Sequence, residues 1–187
     1  MATTGVSRRL TAYFAERCAG ATVRHRRSVR SWQRKGDRFY RQVQLAVAGG
    51  DVAGEALEVA QDLEELMCPL PEQVTVWRGV RDVEAVFGMS NTRLELLVGT
   101  EYAVPMFFAT SLSRRVAKDE FTAPGVGPAL LELVAQAGVP ALWVPVLGEK
   151  VNAYQQELLF PPRTIVRILQ ISRPRGLVAV EGEIRHG

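Results

Sequence analysis

Two prolines, Pro69 and Pro71, divide the sequence into parts with different hydrophobic periodicities. Before them, apolar residues recur at helical spacing among many charged ones, and after them short β-branched segments alternate with turn residues. Helices followed by a run of strands indicate an α+β protein with a mostly antiparallel sheet or pair of sheets. The 187 residues suit one compact domain, which we divide into a helical N-terminal region, 1–72, and a core, 73–187.

The helical part has two stretches, residues 7–48 and 52–67, separated by the pair Gly49-Gly50. Asp51 is predicted to cap the second stretch. Beyond residue 72 we predict strands at 74–77, 102–104, 107–110, 129–134, 141–145, 157–159, 164–170 and 177–180, and short helices at 81–87, 91–98 and 114–121. Segment 124–128 lacks the spacing of a phosphate loop, so we predict an ordinary connector there.

The scarcity of histidine and cysteine limits the chemistry available to this chain. There are two histidines, His25 and His186, so neither a histidine-based triad nor a histidine-ligated zinc is expected, and we predict no metal. Cys18 and Cys68 match no metal spacing; free thiols are preferred over a single disulfide. With no apolar run of about 20 residues and no signal-peptide pattern, we expect a protein that is cytoplasmic where it is made, without a membrane partner; delivery into a target cell stays open. We also expect a monomer.

Positive charge is concentrated at the N-terminus. Residues 1–50 hold eleven basic and two acidic residues, a balance of +9, whereas the remainder has a balance of −6. Two interpretations stay open: the arginines form a solvated helix face, or they bind nucleic acid or another acidic partner. The aromatic residues among them, Trp32, Phe39 and Tyr40, are predicted to be core rather than base-stacking platforms.

Three segments of the second part contain the polar residues best suited to chemistry. Each is unremarkable alone, since an arginine at a strand end or a glutamate before an apolar strand is commonly solvated. Their order along the chain is the informative feature. They are Val76-Trp77-Arg78-Gly79, Phe107-Phe108-Ala109-Thr110-Ser111-Leu112-Ser113 and Tyr154-Gln155-Gln156-Glu157-Leu158-Leu159-Phe160-Pro161-Pro162.

In this order and spacing, the three segments resemble the Arg-Ser-Glu class of mono-ADP-ribosyltransferases. This class includes Rho-modifying clostridial exoenzymes, actin-modifying binary toxins and the guanine-modifying pierisin and scabin group. The resemblance covers residues 74–171, about half of the chain, and extends to the connecting pieces at 99–105, 116–121 and 161–168. It implies a two-sheet core that binds NAD as a substrate, and transfer of ADP-ribose to an acceptor macromolecule or nucleotide.

The resemblance also implies a role for each motif residue. Arg78, followed by Gly79, would hold the NAD pyrophosphate through paired charge-assisted hydrogen bonds. Glu157 would accept a hydrogen bond from a ribose hydroxyl and face the positive charge that develops as the bond to nicotinamide breaks. Thr110 and Ser111 would orient that glutamate and shape the nicotinamide pocket.

Two positions depart from the commonest pattern of the class. Ala109 stands where the class usually has a serine that contacts NAD or the glutamate, so one hydrogen bond is missing unless Ser111 or Ser113 compensates or the alignment shifts. Gln155 stands where arginine-modifying members have glutamate. An amide offers no charge to a guanidinium. The resemblance therefore implies a non-arginine acceptor, either guanine in a nucleic acid or nucleotide or an amide-type protein side chain.

Two other functions remain as alternatives. The missing hydroxyl at Ala109 is compatible with a catalytically weak or inactive NAD-binding protein of the same fold. The basic N-terminal helices are compatible with a nucleic-acid-binding module, although that interpretation leaves the three ordered segments unexplained.

Overall fold

Four helices build the N-terminal part of the computed structural model, which describes residues 2–34, 36–52, 54–122 and 127–185. They are α1 (Ala2–Arg17), α2 (Val23–Trp32), α3 (Tyr40–Val47) and α4 (Glu55–Glu65), as the helical periodicity predicts. Helix α2 begins at a capping box in which Thr22 and His25 exchange hydrogen bonds. The cap predicted for α4 is wrong: Gly54, not Asp51, precedes it, with a positive φ that favours glycine.

The second part holds the sheet. Its strands are β1 (Cys68–Pro69), β2 (Val74–Val80), β3 (Glu101–Ala103), β4 (Phe108–Ser111), β5 (Ala129–Ala135), β6 (Pro140–Trp143), β7 (Glu157–Phe160), β8 (Ile165–Ser172) and β9 (Val178–Arg185). Two α-helices, α5 (Val83–Phe87) and α6 (Arg114–Phe121), and four 3-10 helices, Asn91–Leu97, Val144–Val146, Lys150–Gln155 and Pro174–Gly176, connect them. The predicted strands are all present within a few residues, whereas β1 was not predicted because two residues show no period. Part of the predicted connector, residues 124–126, lies outside the described residues.

The strands form one mixed sheet in the order β1-β6-β7-β4-β2-β5-β9-β8-β3, so the predicted pair of mostly antiparallel sheets is wrong. Strands β5 and β9 run parallel along their length. The two halves of the sheet meet at β2 and β4, which share a single residue pair, Trp77 with Ser111. The local pattern of each strand could not reveal this join, because pairing between distant segments depends on tertiary contacts.

Two apolar cores lie on the sheet. Helix α1 contributes Leu10 and Phe14 to the larger one, which contains most of the inward side chains of β2, β5, β8 and β9. Helices α2 to α4 cover the second, where Trp32 and Val43 meet Phe107 and Leu159. The N-terminal helices therefore pack against the strands that carry the second and third motifs. Among the described residues, no helix is both long and apolar enough to cross a membrane.

The two cysteines are free thiols, as preferred from the sequence; Cys18 is buried and Cys68 half-buried. Burial raises the pKa of both, that of Cys68 to about 11. Thiols with such pKa values are mostly protonated at neutral pH and are poor nucleophiles.

Candidate active site

The three sequence segments lie on three neighbouring strands, β7, β4 and β2. Ser111 on β4 is paired with Trp77 on one side and with Glu157 on the other. Paired residues of adjacent strands project to the same face of a sheet. The fold therefore brings the three motifs side by side, at the place where the two halves of the sheet join through a single residue pair.

Arg78 lies at this join. Because β2 and β4 pair only once, the carbonyl of Ala109 accepts a hydrogen bond from Nη1 of Arg78 at 2.5 Å. The guanidinium also lies over the Phe108 ring, 4.7 Å from its centroid. Burial lowers the pKa of Arg78 to about 10, while the charge of Glu157 acts in the opposite direction. The side chain is still cationic at neutral pH and is held by a backbone oxygen and an aromatic ring.

Gly79 allows helix α6 to approach strand β2 closely. A Cβ at this position would lie 2.1 Å from the Ala117 carbonyl oxygen and 2.7 Å from Cβ of Phe121. Both atoms belong to α6, so the space beside Gly79 is filled by protein. The local role of Gly79 is helix–strand packing, which sets the position of α6.

Glu157 is the first residue of β7, and its carboxylate points to the N-terminal helices. Oε1 accepts a hydrogen bond of 2.8 Å from the indole N–H of Trp32, at the end of α2. The Gln33 side chain donates a second. Burial raises the pKa of Glu157; the two donors and, less strongly, the charge of Arg78 counteract that rise.

The hydroxyls of β4 bond to backbone rather than to the carboxylate. Thr110 donates to the Leu158 carbonyl at 2.8 Å, and Ser111 donates to the Gln155 carbonyl at 2.5 Å. The two acceptors lie on either side of Glu157 in the chain. These bonds fix the path of the backbone into β7 and thereby place Glu157.

Gln155 ends the 3-10 helix before β7, and its side chain is buried. Nε2 donates to Oε2 of Glu120 on α6 at 3.2 Å. A glutamate at position 155 would bring two carboxylates together here, which is electrostatically unfavourable. The pocket around position 155 is therefore built for an amide.

Among the described residues, three buried side-chain polar atoms have no hydrogen-bond partner: Nε1 of Trp77, Nε of Arg78 and Oε1 of Gln156. Buried polar groups in folded proteins are almost always paired, so such atoms mark places where a ligand or water completes the site. All three belong to the first and third sequence segments. An apolar cavity of about 110 Å³, lined in part by Phe87, Tyr102 and Phe108, adjoins Arg78.

A second, larger cleft of about 540 Å³ lies along helix α2 and the two residues that follow it. Four arginines line it, namely Arg26, Arg27, Arg30 and Arg34. Gln33 and Asn152 line it too; Asn152 belongs to the 3-10 helix that ends at Gln155. The basic surface predicted from residues 1–50 thus adjoins the candidate active site rather than lying on the opposite side of the molecule.

One group among the described residues has the composition of a metal site: His25, Asp62 and Glu65 have ligand atoms within 4.8 Å of one another. Arg24 forms ion pairs with both acids, at 2.8 and 3.4 Å. Ser28 also donates to Asp62. These contacts explain the cluster as an ion-pair network that joins α2 to α4.

Trp32, Gln33 and Glu120 are site residues that the sequence did not single out. Trp32 was predicted to be core, and it is 5% exposed, packed edge-on against Phe107. Its indole N–H nevertheless donates a hydrogen bond to Glu157, 125 positions away in the chain. Sequence spacing carries no signal for a contact of this kind.

The comparisons with known proteins concern structure alone, because no protein-family model and no curated protein matches the sequence. Plx2a, an ADP-ribosyltransferase toxin from Paenibacillus larvae, superposes with a TM-score of 0.73 at 18% identity over 97% of this chain and 96% of its own. Vis toxin, an ADP-ribosyltransferase from Vibrio splendidus, gives 0.69 at 19% identity over 98% and 86%. The ADP-ribosylating toxin BECa of C. perfringens, solved with NADH, gives 0.75 at 13% identity over 97% and 48%. This chain therefore has the fold of the ADP-ribosyltransferase toxins.

Proposed function

We propose that this protein is a mono-ADP-ribosyltransferase that cleaves NAD and transfers its ADP-ribose to a non-arginine acceptor. The observation that carries the proposal is that Arg78, Ser111 and Glu157 lie on three adjacent strands. Ser111 is paired with Glu157 on one side and with Trp77, the neighbour of Arg78, on the other. In the proposed division of the chain, residues 73–187 form the NAD-binding core and residues 1–72 the helical region that covers Glu157.

The proposed reaction breaks the bond between nicotinamide and C1 of its ribose. Nicotinamide leaves with the bonding electron pair as a neutral molecule, and the ribose acquires oxocarbenium character. An acceptor nucleophile then bonds to C1 and loses a proton. The ionised carboxylate of Glu157 stabilises the developing positive charge and accepts a hydrogen bond from a ribose hydroxyl, so it favours the transition state over the substrate.

Arg78 is proposed to hold the pyrophosphate. Its Nε is buried and has no hydrogen-bond partner, so this donor is not used by the protein itself. A guanidinium binds phosphate through paired hydrogen bonds. Gly79, Thr110 and Ser111 are proposed to complete the NAD site through the backbone that they fix.

Gln155 is proposed to position the acceptor. Because its amide carries no charge and already donates to Glu120, a cationic guanidinium gains no ion pair from it. A neutral acceptor suits this position better: guanine in a nucleic acid or nucleotide, or an amide-type protein side chain. The arginine-lined cleft beside Gln33 favours the nucleic acid, because phosphates would neutralise its charge.

Two measurements test the proposal. Purified protein is incubated with NAD, and release of nicotinamide is followed; absence of any release would leave an inactive protein of this fold as the better description. Labelled NAD is then offered with guanine-containing oligonucleotides or with lysate protein. Label that enters only protein, and is insensitive to nuclease and to guanosine nucleotides, would contradict the guanine acceptor.

The cleft can be tested separately. We expect Arg26→Ala combined with Arg27→Ala to weaken transfer to an oligonucleotide, with a reduced dependence on salt. The matched control removes two positive charges from α1, outside the cleft, by Arg8→Ala combined with Arg17→Ala. If transfer falls equally in both proteins, the effect is one of net charge and the cleft is not the docking site. Salt-sensitive binding of nucleic acid without NAD turnover would favour the nucleic-acid-binding module instead.

A further inference from the structure

Glu157 is held by two donors from the N-terminal helical region, and these contacts have no counterpart in the three motifs. The indole N–H of Trp32 lies 2.8 Å from Oε1 of Glu157. Gln33 follows Trp32 directly in the chain and donates to the same carboxylate. On the paired strand β4, Ser111 lies directly opposite Glu157, but its hydroxyl donates to the Gln155 carbonyl; Ala109, the next β4 residue on that face, has no side-chain donor.

Both donors are themselves fixed by packing. The Trp32 ring meets Phe107 and Tyr40 edge-on, with centroid separations of 5.7 and 6.2 Å. Oε1 of Gln33 accepts a 2.7 Å bond from the Glu149 backbone N–H, which directs its amide nitrogen away from that loop. Gly148 is required beside it, because a Cβ there would lie 2.4 Å from Oε1 of Gln33.

We infer that Trp32 and Gln33 are positioning residues that orient the Glu157 carboxylate for catalysis, a task that the hydroxyls of Thr110 and Ser111, which donate to backbone carbonyls, do not perform. The inference rests on the proposed function of Glu157. An indole N–H can only donate, so its contact stabilises the ionised carboxylate more than the neutral acid. A carboxylate accepts about four hydrogen bonds, so two donors leave room for a ribose hydroxyl.

The arrangement predicts a specific pH effect. Glu157 must be ionised to act, and burial raises its pKa, so activity falls as the pH drops through that value. Trp32 and Gln33 lower the pKa again, and so, less strongly, does the charge of Arg78 on β2, the strand beyond β4. Removing the Trp32 donor should raise the pKa further and move the acid limb of the profile to higher pH.

The test compares Trp32→Phe with Trp143→Phe. Trp143 is also buried and also donates through its indole N–H to a side-chain oxygen, that of Thr11 at 2.9 Å, away from Glu157. For NAD hydrolysis we expect Trp32→Phe to lower kcat at acidic pH, to shift the acid limb upward by about one pH unit and to leave KM for NAD nearly unchanged. Trp143→Phe should have the same acid limb of the pH profile as the wild type.

Identical pH profiles for the wild type and both variants would overturn the inference. Equal shifts of the acid limb in both variants would also overturn it, because they would indicate a general effect of packing. If Trp32→Phe does not fold cooperatively, Gln33→Met decides the question by the same shift. Titration of ¹³C-labelled glutamate carboxyls, with the Glu157 signal assigned by Glu157→Gln, measures the same pKa directly. It remains decisive even if the wild-type protein cleaves no NAD, a result that would contradict the proposed function alone.

Discussion

Arg78 and Glu157 are both charged and largely enclosed, yet different parts of the chain hold them. Arg78 is held by its own sheet, through the Ala109 carbonyl and the Phe108 ring, and its Nε has no protein partner. Glu157 is held from outside the sheet, by Trp32 and Gln33 of the helical region. The arginine keeps unused donors, whereas the carboxylate is fixed by dedicated ones.

This difference matches the two tasks that we propose for them. A group that binds a substrate phosphate needs donors left over for the ligand, and its loss should weaken ground-state binding. A group that stabilises a developing charge works best when it is oriented in advance, and its loss should slow the chemical step. Substitutions of these two residues and of their neighbours test this division.

Glu157→Gln should reduce NAD hydrolysis and transfer by at least about 100-fold, because a neutral amide cannot balance the charge on the ribose. The measurement is nicotinamide release under saturating NAD. Glu181→Gln, a strand glutamate exposed on β9, serves as the control and should be active. Turnover by Glu157→Gln near that of the control would remove Glu157 from the centre of the mechanism.

Arg78→Ala should raise the Kd for NAD by about tenfold or more, since hydrogen bonds to charged groups contribute about 1.5–3 kcal/mol each. Calorimetric titration with NAD measures it. Arg78→Lys keeps the positive charge but loses the planar guanidinium, so its affinity for NAD should lie between those of the wild type and Arg78→Ala. Wild-type affinity for NAD in Arg78→Ala would show that this arginine serves only to join β2 to β4. The proposed difference in task between Arg78 and Glu157 would then be wrong.

Gln155→Ala should remove most transfer while sparing much of the NAD hydrolysis, because the amide is proposed to contact the acceptor and not NAD. Parallel assays of labelled acceptor and released nicotinamide separate the two activities. Equal losses of both would instead make Gln155 part of the NAD site.

The stability of the protein should depend on the protonation of Glu157. Because burial raises its pKa in the folded state, the folded protein binds this proton more tightly than the unfolded chain. Protonated Glu157 therefore contributes fully to stability below the pKa that it has in the unfolded chain. This contribution is lost as the pH rises through its higher pKa in the folded protein. Urea unfolding should show Glu157→Gln gaining stability over wild type across that pH window. A constant difference at all pH values would contradict the raised pKa.

Ala109→Ser should keep or slightly raise activity, with a change of about threefold at most. The carboxylate already has two donors, so an added hydroxyl supplies a third of small benefit. Steady-state NAD hydrolysis measures the effect, with a melting curve to check packing. A clear fall in activity with normal melting would show that the β4 alignment is wrong.

The local pattern predicted most elements but not their assembly. Alternation and turn residues located β2, β4 and β7 within a few residues, since strand periodicity is a property of neighbouring positions. The pairing of Trp77 with Ser111, which joins the two halves of the sheet, depends on segments 34 residues apart and was not predicted.

For the candidate site, the order of the three segments and their resemblance to the Arg-Ser-Glu class singled out Arg78, Gln155 and Glu157. Their roles remain predictions. The fold decided what surrounds them: α6 packs on Gly79 and so presents Glu120 to Gln155, and α2 places Trp32 against Glu157. A hydrogen bond across 125 positions leaves no periodic trace, because it is set by how helices pack on a sheet and not by neighbours in the chain.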